Sequence, residues 1–541
     1  MTVSASTGFV FSRWLIPAGL FLTSFIMVAV TSRDYGVAWD EPAYFHASDL
    51  HIEWLVEFGQ NLLRAELGKS VQDENIKKAW HWDPYHVPHP PFSRIVSGIM
   101  KALFGSYVDK FVAYRLGPAL FFALLVVGMY SWMADLFNYA TGLFSAVALI
   151  AIPNLFGFAH IAVTDMPLAA MWFFTAYCFW KGLTSWKWSI MLGVVWGLTL
   201  ATKFPALLIP IPLFLWAHLF YRRSYANNVF VMLFLSPVIM IACQPYLWHQ
   251  PGLRILEFLF EGLSRGYRPE TSFSVFFLGQ LYLTNQLPWY YPFFVVGVTT
   301  PEAILSLALF GSACLYWLRE QRAPATLFLT SATFILMTGL LPGAVLHDGV
   351  RQLLPALPFV AAMAGVGFFV LSIWLQRLCT SWQLLEAIRH LPQKIIAAIM
   401  ILSLFVPALD TYLFHPFQLS YYNRLVGGIQ GAYLQGLEVT YFLEALTPDF
   451  VKALNKTLPT HATINASFGN LMLVYYQKEG RLRNDVRIAD KGPFDYYVLL
   501  NRRSALSPRE QILVNGPYET FLSVTIARVP LVSVFEFKKP S

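Results

Sequence analysis

Apolar runs of about twenty residues recur along this chain from Phe11 to residue 411, and that repetition rules out most ways of folding it. A run of that length, wound as a helix, matches the roughly 30 Å hydrocarbon core of a bilayer. No water is present there to bond an exposed N–H or C=O, so each run must satisfy its own backbone, as a helix does. Hydropathy places eleven runs, at 11–31, 111–134, 139–160, 164–182, 188–203, 204–221, 228–247, 300–318, 325–343, 353–375 and 395–411. The least distinct places are 188–221, where Lys203 and Pro205 divide two runs, and 289–300, an apolar approach to the next. The first run lacks a small-residue cleavage site and reads as a retained span. The expected fold is an α-helical polytopic membrane protein with about eleven spans.

Charge then sets an orientation, because Lys and Arg concentrate in cytoplasmic loops. With the N-terminus inside, Arg13, Lys181, Lys187, Arg222, Arg223, Arg319, Arg322, Arg377, Arg389 and Lys394 fall on the cytoplasmic side. Lys203, Arg254, Arg265, Arg268 and Arg351 fall opposite. Two polar stretches then lie outside, a first loop at 32–110 and a tail at 412–541. In the tail, Ala462–Ser467, Tyr496–Asn501 and Phe521–Arg528 read as strands. Asp449–Leu458, Asn470–Glu479 and Pro508–Asn515 read as helices between them, which suggests a small extramembrane α/β domain. The expected division is a membrane domain at 1–411, including the outer loop, and a small domain at 412–541.

Only 13% of the residues are charged, where a soluble domain carries about 25%. The net charge of +7 is spread over short loops, which argues against a nucleic-acid partner. Cys178, Cys243, Cys314 and Cys379 lie in or at the ends of apolar runs without metal-ligand spacing, and read as small buried hydrophobes.

Ionisable groups at membrane depth are costly, so each one points to function. Here they gather on the outer face: Asp40 and Glu41, then Asp83, His86, His89 and Arg94, then His160, Asp165 and Lys203, and last His249, His347, Asp348 and Arg351. Asp40-Glu41-Pro42 follows the first span, and a carboxylate there suits a general base. The same residues suit a helix N-cap with Pro in the first turn. The helix that follows, with Leu50, Trp54 and Phe58 on one face, reads as lying in the interface. His46, Asp49 and Glu53 share another face and read as a solvated one rather than a metal site.

His89-Pro90-Pro91 leads into a second interfacial helix near whose start Arg94 suits a phosphate, or else a rigid turn with a surface Arg. Thr164-Asp165 reads either as a cap or as a buried carboxylate facing a cavity. Lys203 either snorkels to the headgroups or binds a lipid phosphate. His347-Asp348-Gly349-Val350-Arg351 packs more titratable groups into a short loop than a connector needs, and reads as a ligand contact. There is no Walker A, GxGxxG after a strand, HExxH or Asp-x-Asp, so no cofactor is called for and a divalent metal is not required on these grounds.

Together these motifs resemble the membrane-embedded glycosyltransferases of the GT-C class, in the family related to protein O-mannosyltransferases and the lipid A aminoarabinose transferase. The resemblance rests on Asp40-Glu41, His89-Pro90-Pro91, Thr164-Asp165-x-Pro167, the Gly197-to-Lys203 pattern Gly-x-x-x-x-Thr-Lys, and the Arg351-x-Leu-Leu-Pro355-x-Leu-Pro358 run. Further on, His415-Pro416-Phe417-Gln418 and Tyr421-Tyr422-Asn423 resemble the segment after the membrane in bacterial members; beyond about residue 440 nothing does. The resemblance implies an inverting transfer of a hexosyl or pentosyl group from a polyprenyl-phosphate sugar donor on the non-cytoplasmic side. It implies Asp40 as general base with Glu41 as its acidic neighbour, and Arg94, Lys203 and Arg351 holding the donor phosphate. His89, Asp165, His347 and Asp348 are then cavity residues. The family often carries Lys after His-Pro-Pro where this chain has Arg94, a change of geometry at constant charge. The absence of a luminal MIR insertion favours a bacterial-type enzyme of the inner (plasma) membrane, with membrane lipids around it and a lipid, glycan or protein acceptor. The alternative from another class is a transporter or flippase, against which stand the missing internal repeat and the one-sided polar groups.

Overall fold

The computed structural model describes residues 7–80, 89–222, 224–268, 273–381 and 391–537. Asp83, His86, Arg223 and Arg389 lie outside the described residues, as does the side chain of Cys379. Every one of the eleven apolar runs is helical. Among the described residues six helices are long and apolar enough to cross a membrane: Trp14–Asp34, Lys110–Leu136, Phe204–Tyr221, Ala226–Cys243, Ala356–Leu378 and Lys394–Leu413.

The other runs are shorter than expected, for local reasons. The 139–160 run divides into Tyr139–Ile150 and Pro153–Phe158, because Pro153 has no N–H to continue a helix and instead begins a new one. The 300–318 run is α-helical only over Glu302–Ala313 and tightens into a 3-10 turn through Trp317. Asp165–Gly182, Trp186–Leu200 and Arg322–Thr338 complete the set.

Lys110–Leu136 is the axis of the bundle. Its apolar window is 83% buried, against 17% for Trp14–Asp34 and 22% for Lys394–Leu413, which flank the bundle with lipid-facing surfaces. A helix apolar all round belongs in such an interior. Asp109 caps it, accepting the Phe111 N–H at 3.0 Å.

The first loop folds over one end of this bundle as Glu41–Leu63, Leu67–Ser70, Asp73–Trp80 and Phe92–Phe104. The face expected to meet lipid does not do so. Trp54 is buried, stacks on Phe58 and meets Trp80 edge-on, so this helix packs against Asp73–Trp80. Between the Ala226–Cys243 helix and residue 290 lies an antiparallel hairpin that the sequence reading did not anticipate, β1 (Ser274–Phe277) with β2 (Gln280–Leu283).

The tail is a five-stranded sheet built from β3 (Thr463–Ala466), β4 (Arg487–Ile488), β5 (Tyr496–Leu500), β6 (Leu522–Ile526) and β7 (Val529–Glu536), in the order β4-β3-β5-β7-β6. β3 runs parallel to β4 and β5, while β7 is antiparallel to β5 and β6. The helices Pro448–Thr457, Asn470–Lys478 and Pro508–Asn515 stand where they were expected. The expected strand Phe521–Arg528 ends early, because Ala527 and Arg528 take φ of 47° and 66° and form the turn into β7.

The tail rests directly on the first loop. The Trp39 N–H donates to the Phe442 carbonyl at 2.8 Å, and the Val37 N–H to the Tyr476 hydroxyl at 2.7 Å. Gly36 is pressed on the backbone carbonyls of Glu444 and Leu446, where a Cβ has no room.

Candidate active site

A cavity of about 630 Å³ opens between the first loop, that end of the bundle and the tail. That is within the range of a small-molecule site. Of the residues singled out in the sequence, Asp40, His89, Lys203, His347, Asp348 and Arg351 line it.

Asp40 stands at the N-cap of the Glu41–Leu63 helix, yet its side chain makes no capping bond. The carboxylate turns away, and Oδ2 accepts from Arg351 Nη2 at 2.5 Å. Among the described residues nothing donates to Oδ1. The capping explanation is therefore set aside by geometry. Thr164 also makes no side-chain cap, and Asp165 below it is fully buried between two cations. Its Oδ1 accepts from Lys203 Nζ at 2.6 Å and its Oδ2 from Arg351 Nε at 3.1 Å.

Arg351 joins these groups. Its Nη1 donates to Asp348 Oδ2 at 3.0 Å, so one guanidinium holds Asp40, Asp165 and Asp348 together. The face of Phe442 lies 4.0 Å from it and keeps its plane. Lys203 also reaches Gln352 Oε1 at 3.2 Å, so it points into the protein and does not snorkel. Asp348 and Gly349 take φ of 58° and 62°, the left-handed turn that brings His347 and Arg351 to one wall.

Burial and the cations around it push His89 well below its usual range, and burial takes His347 down to about 4, so both imidazoles are neutral near pH 7. Burial would raise Asp348, but His347, Arg502 and Arg351 outweigh it and its carboxyl stays below the usual range. Among the described residues five cations line the cavity, Lys203, Arg265, Arg351, Lys478 and Arg502, against the carboxylates of Asp40 and Asp348 with Asp165 behind them. The site is electropositive and shaped to hold an anion beside a carboxylate.

Two of the expected site residues stand apart from the cavity lining. Glu41 is outside the cavity and its acceptor capacity is used up. Oε1 accepts from Arg115 Nε at 2.8 Å and from Ala162 N at 2.9 Å; Oε2 accepts from Arg115 Nη2 at 2.6 Å and from Ala38 N at 2.8 Å. It braces the Asp40 segment and has no free oxygen for chemistry. Arg94 is also off the cavity wall, buried beside the Tyr44 ring and donating to the His89 carbonyl at 2.5 Å, so it does not meet a phosphate there. Nor do His160 and His249 join the cavity: His160 stacks on Tyr35 and bonds Thr31 at 2.8 Å, and His249 bonds the Val71 carbonyl.

Comparisons with known proteins bear on the fold. Residues 88–249 match the family model described as dolichyl-phosphate-mannose-protein mannosyltransferase, less than a third of the chain. The apo crystal structure of ArnT from Cupriavidus metallidurans superposes with a TM-score of 0.50 at 14% identity, covering 97% of this chain and 98% of that one. The fold is that of the GT-C glycosyltransferases. The same ArnT bound to undecaprenyl phosphate gives 0.46 at 15% identity, covering 98% of each chain. The oligosaccharyltransferase AglB from Archaeoglobus fulgidus, in complex with an inhibitory peptide and a dolichol-phosphate, gives 0.46 at 10%, covering 90% of this chain and 69% of that one. No curated protein matches the sequence.

Within this GT-C fold the family match takes in His89, Asp165 and Lys203 but not Asp40 or Arg351. Sequence reasoning missed Arg265, Tyr441, Phe442, Lys478 and Arg502. Arg265 was used only to orient the chain. The others lie beyond residue 440, where the tail carries no motif, and only the docking of the tail on the first loop brings them to the cavity.

Proposed function

We propose that this protein is an inverting membrane glycosyltransferase that moves a sugar from a polyprenyl-phosphate donor to an acceptor hydroxyl on the non-cytoplasmic face. One observation carries the reading: in a single cavity, a carboxylate with an uncommitted oxygen, Asp40, stands beside Lys203, Arg265 and Arg351. The donor class draws on the dolichyl-phosphate mannosyltransferase match across the segment that holds His89, Asp165 and Lys203. The Lys/Arg bias of the loops puts the N-terminus in the cytoplasm and the tail outside.

The acceptor hydroxyl attacks the anomeric carbon, and the bond from that carbon to the phosphate oxygen breaks with its electron pair going to the phosphate. Asp40 Oδ1 takes the hydroxyl proton. Asp165 has both oxygens bonded to cations and Asp348 is buried between Arg351 and Arg502, whereas Asp40 is the more exposed carboxylate of the lining, which suits it to this role. A single displacement inverts the anomeric centre. The departing polyprenyl phosphate gains charge as it leaves, and the cationic wall stabilises that charge without protonating it. Asp165 keeps Lys203 and Arg351 in place.

The test supplies purified protein with a panel of radiolabelled polyprenyl-phosphate sugars and acceptor-rich membranes, comparing wild type with Asp40→Asn. Transfer of one sugar by wild type alone supports the reading. Failure to release polyprenyl phosphate from any donor refutes it.

A further inference from the structure

The tail supplies a cation to the cavity that no motif pointed to. Arg502 follows β5, and the turn that carries it is tightly held. The Arg503 N–H donates to Glu438 Oε1 at 2.5 Å and the Ser504 N–H to Oε2 at 2.9 Å, while the Asn501 N–H bonds the Leu531 carbonyl at 2.9 Å. The side chain is fastened within the tail before it reaches Asp348 in the membrane part. Nη1 donates to the Tyr441 carbonyl at 2.7 Å, and Nε meets Ser504 Oγ at 3.3 Å.

The remaining nitrogen, Nη2, is 3.0 Å from Asp348 Oδ1, but that oxygen accepts no aligned hydrogen bond. An ion pair whose N–H is not aligned on the oxygen, on a side chain that lines the cavity, leaves that edge of the guanidinium able to meet a second anion. Asp348 thus has a guanidinium on each oxygen, Arg351 on Oδ2 and Arg502 on Oδ1. Arg351 has spent three of its five N–H groups on carboxylates, which leaves it one on each terminal nitrogen. Two guanidinium edges facing one space suit the several oxygens of a phosphate.

We propose that Arg502 is a binding residue for the donor phosphate, forming with Arg351 a clamp whose halves come from the tail and from the membrane part. This rests on the polyprenyl-phosphate reading above. The tail is then part of the donor site, and the cavity is incomplete without it.

Binding to the full-length purified protein tests this, with a fluorescent polyprenyl phosphate and the matching neutral polyprenol as probes. Wild type binds the phosphate. Arg502→Ala weakens the phosphate at least about tenfold and leaves polyprenol unchanged, and Arg502→Lys falls between, since Lys keeps the charge but loses the fork. Unchanged phosphate affinity in Arg502→Ala overturns the assignment while leaving the donor class standing. Equal losses for phosphate and polyprenol mean Arg502 only docks the tail, which also overturns it. Should the Ala variant fail to fold, Arg502→Lys decides alone: phosphate affinity equal to wild type at every ionic strength overturns the clamp. A wild type that binds no polyprenyl phosphate sinks the donor reading and this inference together.

Discussion

Asp40 and Glu41 are neighbours in the chain with opposite surroundings. Glu41 is wholly buried and accepts four hydrogen bonds, two of them from Arg115. Arg115 in turn spends its remaining N–H groups on the carbonyls of Ser32, Tyr35 and Gly36. Asp40 is half-buried at the edge of the cavity and holds one partner, Arg351. The first network is closed: every donor and acceptor is matched, and it ties the loop bearing Asp40 to Lys110–Leu136 and to the segment before Asp165. The second is open, with spare oxygen and nitrogen valences directed at empty volume. A saturated buried network fixes structure, whereas an unsaturated one has something left to give to a ligand.

That contrast predicts different failures on the two sides. The largest effect on turnover is expected from Asp40→Asn, which keeps the shape and removes the base. The rate of sugar transfer should fall by about 10³-fold, the middle of the range for a positioned general base. The thermal midpoint should stay close to wild type, because Arg351 keeps Asp165 and Asp348. A large drop in midpoint with turnover intact would make Asp40 structural and erase the contrast.

On the closed side, Arg115→Ala leaves the Glu41 carboxylate buried without its partner and should cost about 3–5 kcal/mol of stability. Thermal unfolding in detergent reads this directly. Turnover per folded molecule should suffer much less than in Asp40→Asn. If Glu41→Gln instead abolishes turnover at unchanged stability, Glu41 belongs to the chemistry after all.

Arg351→Lys sharpens the open side. A Lys keeps the charge, but it lacks the planar fork that meets three carboxylates. Asp40 then loses its orientation, and turnover should fall by up to about 10²-fold, the scale of a misplaced catalytic group. Steady-state kinetics locate the loss: a fall confined to kcat marks misorientation of Asp40, and a rise confined to KM marks lost phosphate contact.

Much of this was legible in the sequence, for identifiable reasons. Twenty-residue apolar runs admit few conformations in a bilayer, so helix positions were readable even where Pro153 cut one run in two. The convergence of Asp40, Lys203 and His347-to-Arg351 followed from the alternation of spans, which puts all of them at the same end of the bundle. Partner choice was not legible. Nothing in Asp40-Glu41 says which carboxylate meets Arg115, a residue inside the next long helix and 74 positions from Glu41. Trp54 was read as lipid-facing because amphipathicity gives a face without saying what covers it. Arg502 was invisible for a stronger reason: its place depends on docking two regions of unlike composition.

The smallest expected effect belongs to Glu438, which repeats the contrast inside the tail. Like Glu41 it is buried, but it faces two backbone N–H groups, Arg503 and Ser504, with no bonded cation to hold its charge. Burial takes its pKa up from 4.5 to about 7, against the pull of those bonds and of Arg502. A pKa raised on folding means the native state holds the proton more firmly than the unfolded chain. The contribution to stability is therefore complete below pH 4.5 and is lost as pH rises through 7. Buried Glu444 is raised too and His347 works in the opposite sense below its usual range, so the informative quantity is the difference between wild type and Glu438→Gln. The gap in thermal midpoint should favour wild type most at pH 5 and narrow by roughly 2–4 °C for each kcal/mol released by pH 8. A gap constant across that range would mean the Arg503 and Ser504 bonds offset the burial completely, which would put Glu438 with Glu41 among the closed networks.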